Sequence, residues 1–468
     1  MRKLNKKKKT KVLLINPAES TVELSMCPPF GLGMIASFLE ANGVEVSIFD
    51  EQAGERNVEK HLKEFQPDIV GITATTPVAP RAYQIAKITR ELGILTVMGG
   101  KHASALPQEA ARNVDVVVVG EGEKAMLDIV RGRREKIIYG TDFIKNIDDI
   151  PPYWHFFNME FYVGGRNRSP RGSMYFLPAG TRVGSLFTSR GCPFNCIFCY
   201  NSWKGSPVRY QSPKRVIADI ELLVKKYKIN GLLFMDDNFF YPHKRLIEIC
   251  ERMIEKKFNL LWGCQTRADS ITLETLKLAH RAGLRSILFG FESGSQRILT
   301  MLKGKGPTIE KNCEAIRLCW EAGVGPLGSF MVGSPTETIE DLEKTLAFIR
   351  SHKFDHVGVH ITTPFPGTAL WDWCLKKKII PPDIDYSALK MSNKNTFYCN
   401  DTIPPEVIRE YRDKMDYLGS PLTFSHILDR LRYNPQLLFQ AIKNPRESLR
   451  YVMISLKSKL KFLWGRRQ

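Results

Sequence analysis

Short apolar runs alternate with helix-length amphipathic stretches along most of this chain. In the first third the apolar runs fall at residues 11–16 (KVLLIN), 44–49, 69–73, 96–99 and 116–119. Between them, residues 31–42, 58–65, 79–92 and 108–111 follow a helical period. Continuously apolar strands spaced by amphipathic helices predict a doubly wound parallel sheet. A second alternation begins at residue 185, with strands expected over 185–188, 231–235, 260–265, 286–290, 326–332 and 356–362. Helices are expected over 213–227, 243–257, 273–282, 309–322 and 339–351. That pattern fits an open (β/α)6 barrel, a partial TIM barrel. The expected class is α/β, with a basic arm at 1–10, the sheet domain at 11–135, a linker at 136–184, the barrel at 185–380 and a helical, basic extension at 381–468.

Both layouts put function at the C-terminal strand ends. In the sheet domain those ends carry Thr73, Thr75, Gly99, Gly100, His102, Gly120 and Glu121. Glycines there let backbone approach a ligand closely. No G-x-G-x-x-G follows the first strand and no G-x4-G-K-[ST] occurs, so no nucleotide fingerprint is present. In the barrel the ends carry Asp236-Asp237-Asn238, Arg267, Glu292-Ser293 and Gly333-Ser334-Pro335. Taken alone, these are simply polar loops.

One stretch carries sharper chemistry. Residues 188–200 read TSRGCPFNCIFCY, with Cys192, Cys196 and Cys199 at C-x3-C-x2-C spacing. No further Cys or His follows before His243. Three soft thiolates without a nearby fourth ligand point to an iron–sulfur cluster with one iron left open. A zinc knuckle, or three reduced cysteines, remains the alternative. The other seven cysteines, Cys27, Cys250, Cys264, Cys313, Cys319, Cys374 and Cys399, are scattered through apolar patterns. They read as small core residues, with Cys264 a candidate for lining a pocket, rather than as a disulfide framework.

The net charge of +19 implies an anionic partner or surface. Much of it sits at the ends: seven positive residues in the first eleven, and eight Lys or Arg against Glu447 alone over 443–467. No long apolar run follows the N-terminal arm and none reaches transmembrane length, so a cytoplasmic protein is expected. Leu449, Val452, Met453, Leu456, Leu460, Leu463 and Trp464 fall at helical spacing, with Arg450, Lys457, Lys459 and Lys461 mostly opposite. Such a helix suits peripheral contact with anionic lipid on the inner membrane face. A helix packed on the barrel with a solvated basic face fits equally. Nucleic acid is less favoured, because the basic clusters are not interleaved with aromatics across a sheet.

The cysteine motif, with Phe198 before its last cysteine, resembles the radical S-adenosylmethionine (SAM) enzymes. The N-terminal segments PPFGLGMIASFLEANGVEVSIFD, PDIVGITATT, VMGGKHASALPQEA and VDVVVVGEGE resemble the cobalamin-binding domain of the cobalamin-dependent members. The resemblance implies that Cys192, Cys196 and Cys199 hold a [4Fe–4S] cluster whose open iron chelates SAM, and that Phe198 lies beside the cluster and adenine. It implies that Asp236 and Asp237 meet the SAM amino group, where the family often has Gly-Gly-Glu. Arg267, Glu292 and Ser293 then meet its carboxylate and ribose, and Gly333 lies near adenine. Cobalamin would be surrounded by the loops that carry Thr73, Thr75, Gly99, Gly100, His102, Gly120 and Glu121. No D-x-H-x2-G string occurs, so the cobalamin is expected base-off, without a His–cobalt bond.

The implied reaction is radical modification of an unactivated carbon, foremost C-methylation of a lipid-like or membrane-associated substrate, with electrons from a ferredoxin- or flavodoxin-type donor. Oxidative cyclisation, as in the anaerobic cyclase of bacteriochlorophyll synthesis, is the alternative. A methylthiotransferase would need a second three-cysteine cluster in the N-terminal domain, which has only Cys27. A non-catalytic cobalamin or redox sensor would not need the barrel's strand-end residues.

Overall fold

The structure, a computed structural model, describes residues 9–18, 27–55, 57–164, 181–200, 207–381, 384–389 and 397–419. Most of the basic arm, the Arg-rich part of the linker and the amphipathic basic segment over 449–464 lie outside the described residues. The chain divides into two compact units. One comprises Met1–Tyr162, Phe198–Gln211 and Pro364–Lys390; the other comprises Val163–Ile197, Ser212–Thr363 and Met391–Gln468.

The first unit is built on six parallel strands: β1 (Lys11–Asn16), β2 (Glu45–Asp50), β3 (Ile69–Thr73), β4 (Leu95–Gly99), β5 (Val116–Gly120) and β6 (Ile137–Gly140). Their order is β2-β1-β3-β4-β5-β6. The apolar run of β1 serves both faces. Leu13 and Ile15 join a core with Val70, Ile72, Met98 and Val117. Val12 and Leu14 join a second core with Ile69, Val97, Val116 and Val118. Alternate side chains point to opposite faces, so helices over both faces demand apolar residues at every position. Strand β6 falls in the stretch read as linker. It is a four-residue edge strand, paired through Val117 and Ile137, with only two isoleucines to mark it.

The second unit holds β7 (Val183–Leu186), β10 (Gly231–Phe234), β11 (Leu261–Thr266), β12 (Leu284–Glu292), β13 (Gly325–Val332) and β14 (His356–Ile361). These form one parallel sheet in sequence order, the arrangement of an open barrel. The remaining strands, β8 (Ser189–Arg190) and β9 (Arg209–Tyr210), are two residues each. Helices of this unit start sharply because Ser212, Thr272, Thr308 and Thr338 each accept a backbone N–H in the first turn.

Residues 397–419, expected outside the barrel, belong to it. The helix Pro405–Leu418 packs on β14 and on the helix Ile339–Ser351, burying Ile408 and Met415. The Gly419 carbonyl accepts from the Val357 N–H at 3.0 Å. The edge strand is thereby covered. Among the described residues no helix is long and apolar enough to cross a membrane.

Candidate functional site

The cysteine loop leaves β7 and is pinned at its start. Asp236, at the end of β10, has no exposed surface. It accepts from the Thr188 N–H at 3.1 Å, from the Thr188 hydroxyl at 2.9 Å and from the Ser189 hydroxyl. Arg245 donates to the Thr188 hydroxyl and carbonyl at 2.8 and 3.1 Å. Those bonds all go to Oδ1; the Thr188 N–H also reaches Oδ2 at 3.2 Å, so the loop's first residues engage both carboxylate oxygens. Asp237, its neighbour, is exposed, and its charge acts on Cys192.

None of the three motif cysteines is in a disulfide; Cys192 and Cys196 are half-buried and Cys199 is exposed. Burial raises the Cys192 and Cys196 thiols above their ordinary value, while the positive charges of Arg267 and Lys303 pull both down. Among the described residues no three His, Cys, Asp or Glu side chains converge to ligate a metal. The donor set nevertheless suits a cluster: three reduced thiols on one short loop, and two cations whose field favours thiolates.

Arg267 follows β11. Its guanidinium lies 3.6 Å from the centre of the Phe194 ring in the cysteine loop. Asp269 binds its Nε at 2.9 Å and one Nη at 2.7 Å. The other, Nη1, is buried without a partner among the described residues. Such an orphan donor beside the thiols fits an anionic ligand such as the SAM carboxylate. Ser293 is spent on the fold: its hydroxyl meets Thr345 at 3.1 Å and accepts from the Ser295 N–H at 3.0 Å. Glu292 pairs with Lys303 at 3.2 Å. Cys264 lies within β11, and burial pushes its thiol well above the ordinary value.

Gly333 opens a turn that is held from two sides. The Gly333 and Ser334 N–H groups donate to Glu337 at 2.6 and 3.0 Å. Asn400 donates to the Ser334 and Glu337 carbonyls at 2.6 and 3.0 Å, and the Cys399 thiol to the Gly333 carbonyl at 3.4 Å. Burial pushes the Glu337 carboxyl from 4.5 up to about 8. A raised folded-state value means that its contribution to stability is complete below the unfolded value and is lost as pH climbs through the folded one. Wild-type denaturation midpoints should therefore carry a fall between pH 4.5 and 8 that Glu337→Gln flattens. An unchanged slope in the variant would assign the fall to another group.

In the first unit the strand-end loops close on each other. Gly100 has φ +89°, and a Cβ there would stand 2.6 Å from the Thr73 hydroxyl and 2.9 Å from the Ala74 backbone. The His102 N–H donates to the Ala74 carbonyl at 3.0 Å, and the Gly120 N–H to the Ser104 hydroxyl at 3.1 Å. Thr75 is exposed, ahead of a short 3-10 turn. His102 is fully buried; its Nε2 lies 2.9 Å from the Tyr83 hydroxyl and 3.0 Å from Glu109. Through Nε2 the ring ties the loop to Tyr83 and Glu109, while its Nδ1 is buried without a hydrogen-bond partner among the described residues. Glu121 is engaged too, by Arg209, which also donates to the Ile144 carbonyl at 2.6 Å. Thr73, Gly99 and Gly100 are partly exposed and Thr75 and Gly120 exposed, so backbone at these strand ends is open to a ligand.

Sequence reasoning missed Lys303, the Cys399–Asn400 strap and the Thr188–Asp236–Arg245 bracket. No local motif marks any of them. They are found only when distant segments meet.

Two family models match the chain: B12 binding domain over residues 22–130 and Radical SAM superfamily over residues 186–349. An uncharacterized methyltransferase of Pyrococcus horikoshii is 33% identical over 400 residues, covering 79% of this chain and 84% of that protein. The anaerobic magnesium-protoporphyrin IX monomethyl ester cyclase of Rubrivivax gelatinosus is 31% identical over 378 residues, covering 74% of this chain and 66% of the cyclase. The solved structure of the radical SAM methyltransferase TsrM from Kitasatospora setae, with cobalamin and a [4Fe–4S] cluster bound, shares the fold at a TM-score of 0.63. It does so at 18% identity over 79% of this chain and 75% of that one. The two matched models, in this order on one chain and with the 33% identical relative, show that the protein belongs to the cobalamin-dependent radical SAM enzymes, whose cofactors are a [4Fe–4S] cluster, SAM and cobalamin.

Proposed function

We propose that this enzyme methylates an unactivated carbon of a lipid-like or membrane-associated substrate. The observation that carries the reading is the open three-thiol loop backed by Arg267, in a chain that also has the glycine-lined strand ends of a B12-binding domain. When bound, the cluster with SAM supplies hydrogen abstraction from carbon, and cobalamin supplies methyl transfer.

The chain's own residues bind and orient. Cys192, Cys196 and Cys199 would hold the cluster. Asp237, exposed and close enough to act on Cys192, pairs with the SAM ammonium. Arg267 offers its unpartnered Nη1 to the SAM carboxylate. Phe198 flanks adenine, and the Gly333 turn, braced by Glu337, presents backbone to it. Asp236 keeps the start of the cysteine loop in place. Thr73, Thr75, Gly99, Gly100 and Gly120 line the cobalamin surface, while His102 and Glu121 support it from within.

The relative named a methyltransferase favours methylation. The 31% identity to the cyclase supports oxidative cyclisation as a second reading. The eight Lys or Arg over 443–467 favour a substrate at an anionic lipid surface. Lipid and pigment extracts of a host lacking this protein should lack a species heavier by one methylene than its precursor. Anaerobic reconstituted enzyme with methyl-labelled SAM and a one-electron donor should restore it with the label on carbon. A restored product two hydrogens lighter and unlabelled would replace methylation by cyclisation.

A further inference from the structure

We propose that the buried Lys303–Glu292 pair sets the reduction potential of the cluster, Lys303 raising it and Glu292 opposing it. This rests on the reading of Cys192, Cys196 and Cys199 as cluster ligands.

Lys303 ends the helix Gln296–Lys303, and that helix is fixed at both ends. Just ahead of the helix, the Ser295 hydroxyl donates to Asp341 at 2.6 Å, and the Gly294 N–H to Thr345 at 3.0 Å; within its first turn Arg297 pairs with Asp341. At its end the Leu302 carbonyl accepts from the Ile197 N–H at 2.9 Å. Ile197 directly follows Cys196, so the last turn of the helix is docked on the cysteine loop. The ammonium of Lys303, bonded to the Gly290 carbonyl and to Glu292, stands at a fixed place from which its charge reaches Cys192 and Cys196.

Its partner is aimed with equal care. The register between β12 and β13 shifts between Gly290 and Glu292, and Glu292 adopts φ +63°. Bulges of this kind re-aim a side chain, and a non-glycine residue holds that conformation only when its surroundings insist. The carboxylate is turned back over its own strand: a Cβ on Gly290 would stand 2.2 Å from Glu292 Oε1. Lys303 Nζ donates to the Gly290 carbonyl at 2.6 Å and to Glu292 at 3.2 Å, with both side chains 8% exposed. In so dry a place the two charges are poorly screened. They act on Cys196 in opposite directions.

Reduction adds one electron to the cluster and so makes it more negative. A fixed cation nearby favours the reduced form, and a fixed anion disfavours it; charge and hydrogen bonding are established levers on cluster potentials. Lys303 is a positioning residue in this scheme. It acts through the field at the thiolates.

The test is a redox titration of the full-length, anaerobically reconstituted enzyme, with dithionite as electron source and mediators, read by the electron paramagnetic resonance signal of the reduced cluster. Lys303→Met should lower the midpoint by about 59 mV, a tenfold change in the one-electron equilibrium. Glu292→Gln should move it up by a similar amount, and Lys303→Arg should stay near wild type. Opposite signs are the signature of a field. Two shifts of one sign, or none, would mean that the pair only clamps the fold, and would overturn the proposal. Should Lys303→Met hold no cluster, Glu292→Gln decides: a raised midpoint supports the proposal and an unchanged or lowered one overturns it. A wild-type enzyme that shows no cluster signal at all would overturn the cysteine reading itself, and this inference with it.

Discussion

Replacing Cys192, Cys196 and Cys199 together by alanine is expected to abolish the brown absorbance of the reconstituted protein and all cleavage of SAM. The proposed ligands are these three thiols; among the described residues no group of three His, Cys, Asp or Glu side chains is gathered elsewhere to replace them. A cluster iron without its thiolate is lost, because no water or backbone group in the loop matches sulfur as a soft ligand. The fold should survive. Cys192 and Cys196 are only half-buried and Cys199 is exposed, so truncation to alanine leaves no large cavity. Circular dichroism and the urea midpoint of the apo protein should therefore stay close to wild type while iron content falls to background. Retained SAM cleavage by the triple variant would sink the assignment.

The cysteine motif can be read along the chain because its chemistry is local: three thiolates at short spacing on one loop are suited to hold one cluster. The sheet strands were legible for a related reason. Burial on both faces writes a continuous apolar run, as in β1, where neighbouring residues enter opposite cores. Strand β6 escaped because an edge strand of four residues with one buried isoleucine carries almost no pattern. Lys303 escaped for a different reason. A lysine in the last turn of a helix ordinarily reads as a solvated cation favoured by the helix dipole. Only the bulge at Glu292, eleven residues earlier, and the docking of Leu302 on Ile197 turn it into a buried charge beside the thiols. Residues 397–419 have no repeating pattern that ties them to the barrel, yet they brace the Gly333 turn and cover β14. The resemblance names both Asp236 and Asp237 at the end of β10 and does not distinguish their surroundings. Of Asp236 and Asp237, the first is sealed in and the second is exposed.

That division of labour predicts a large effect at Asp236 of a kind a ligand contact would not produce. Asp236→Ala removes the acceptor for the Thr188 N–H, the Thr188 hydroxyl and the Ser189 hydroxyl, all buried. It also leaves the mostly buried Arg245 without the opposite charge that faces it. Removing one side of a buried charged network costs about 3–5 kcal/mol, because the other side stays buried and unmatched. Asp236→Asn keeps an oxygen for the Thr188 and Ser189 donors but loses the charge, and should cost roughly 1–3 kcal/mol. Both losses should appear in urea unfolding of the apo protein, before any cofactor is present, because the bracket belongs to the fold. The same variants should hold less iron after reconstitution, in the order of their instability, since the loop that carries Cys192 starts from Thr188. Asp237→Ala should behave in the reverse way: an unchanged urea midpoint, full iron content and weakened SAM binding. An Asp236→Ala protein as stable as wild type, with SAM affinity alone reduced, would move the ammonium contact from Asp237 back to Asp236 and remove the bracket from the account of how the cysteine loop is held.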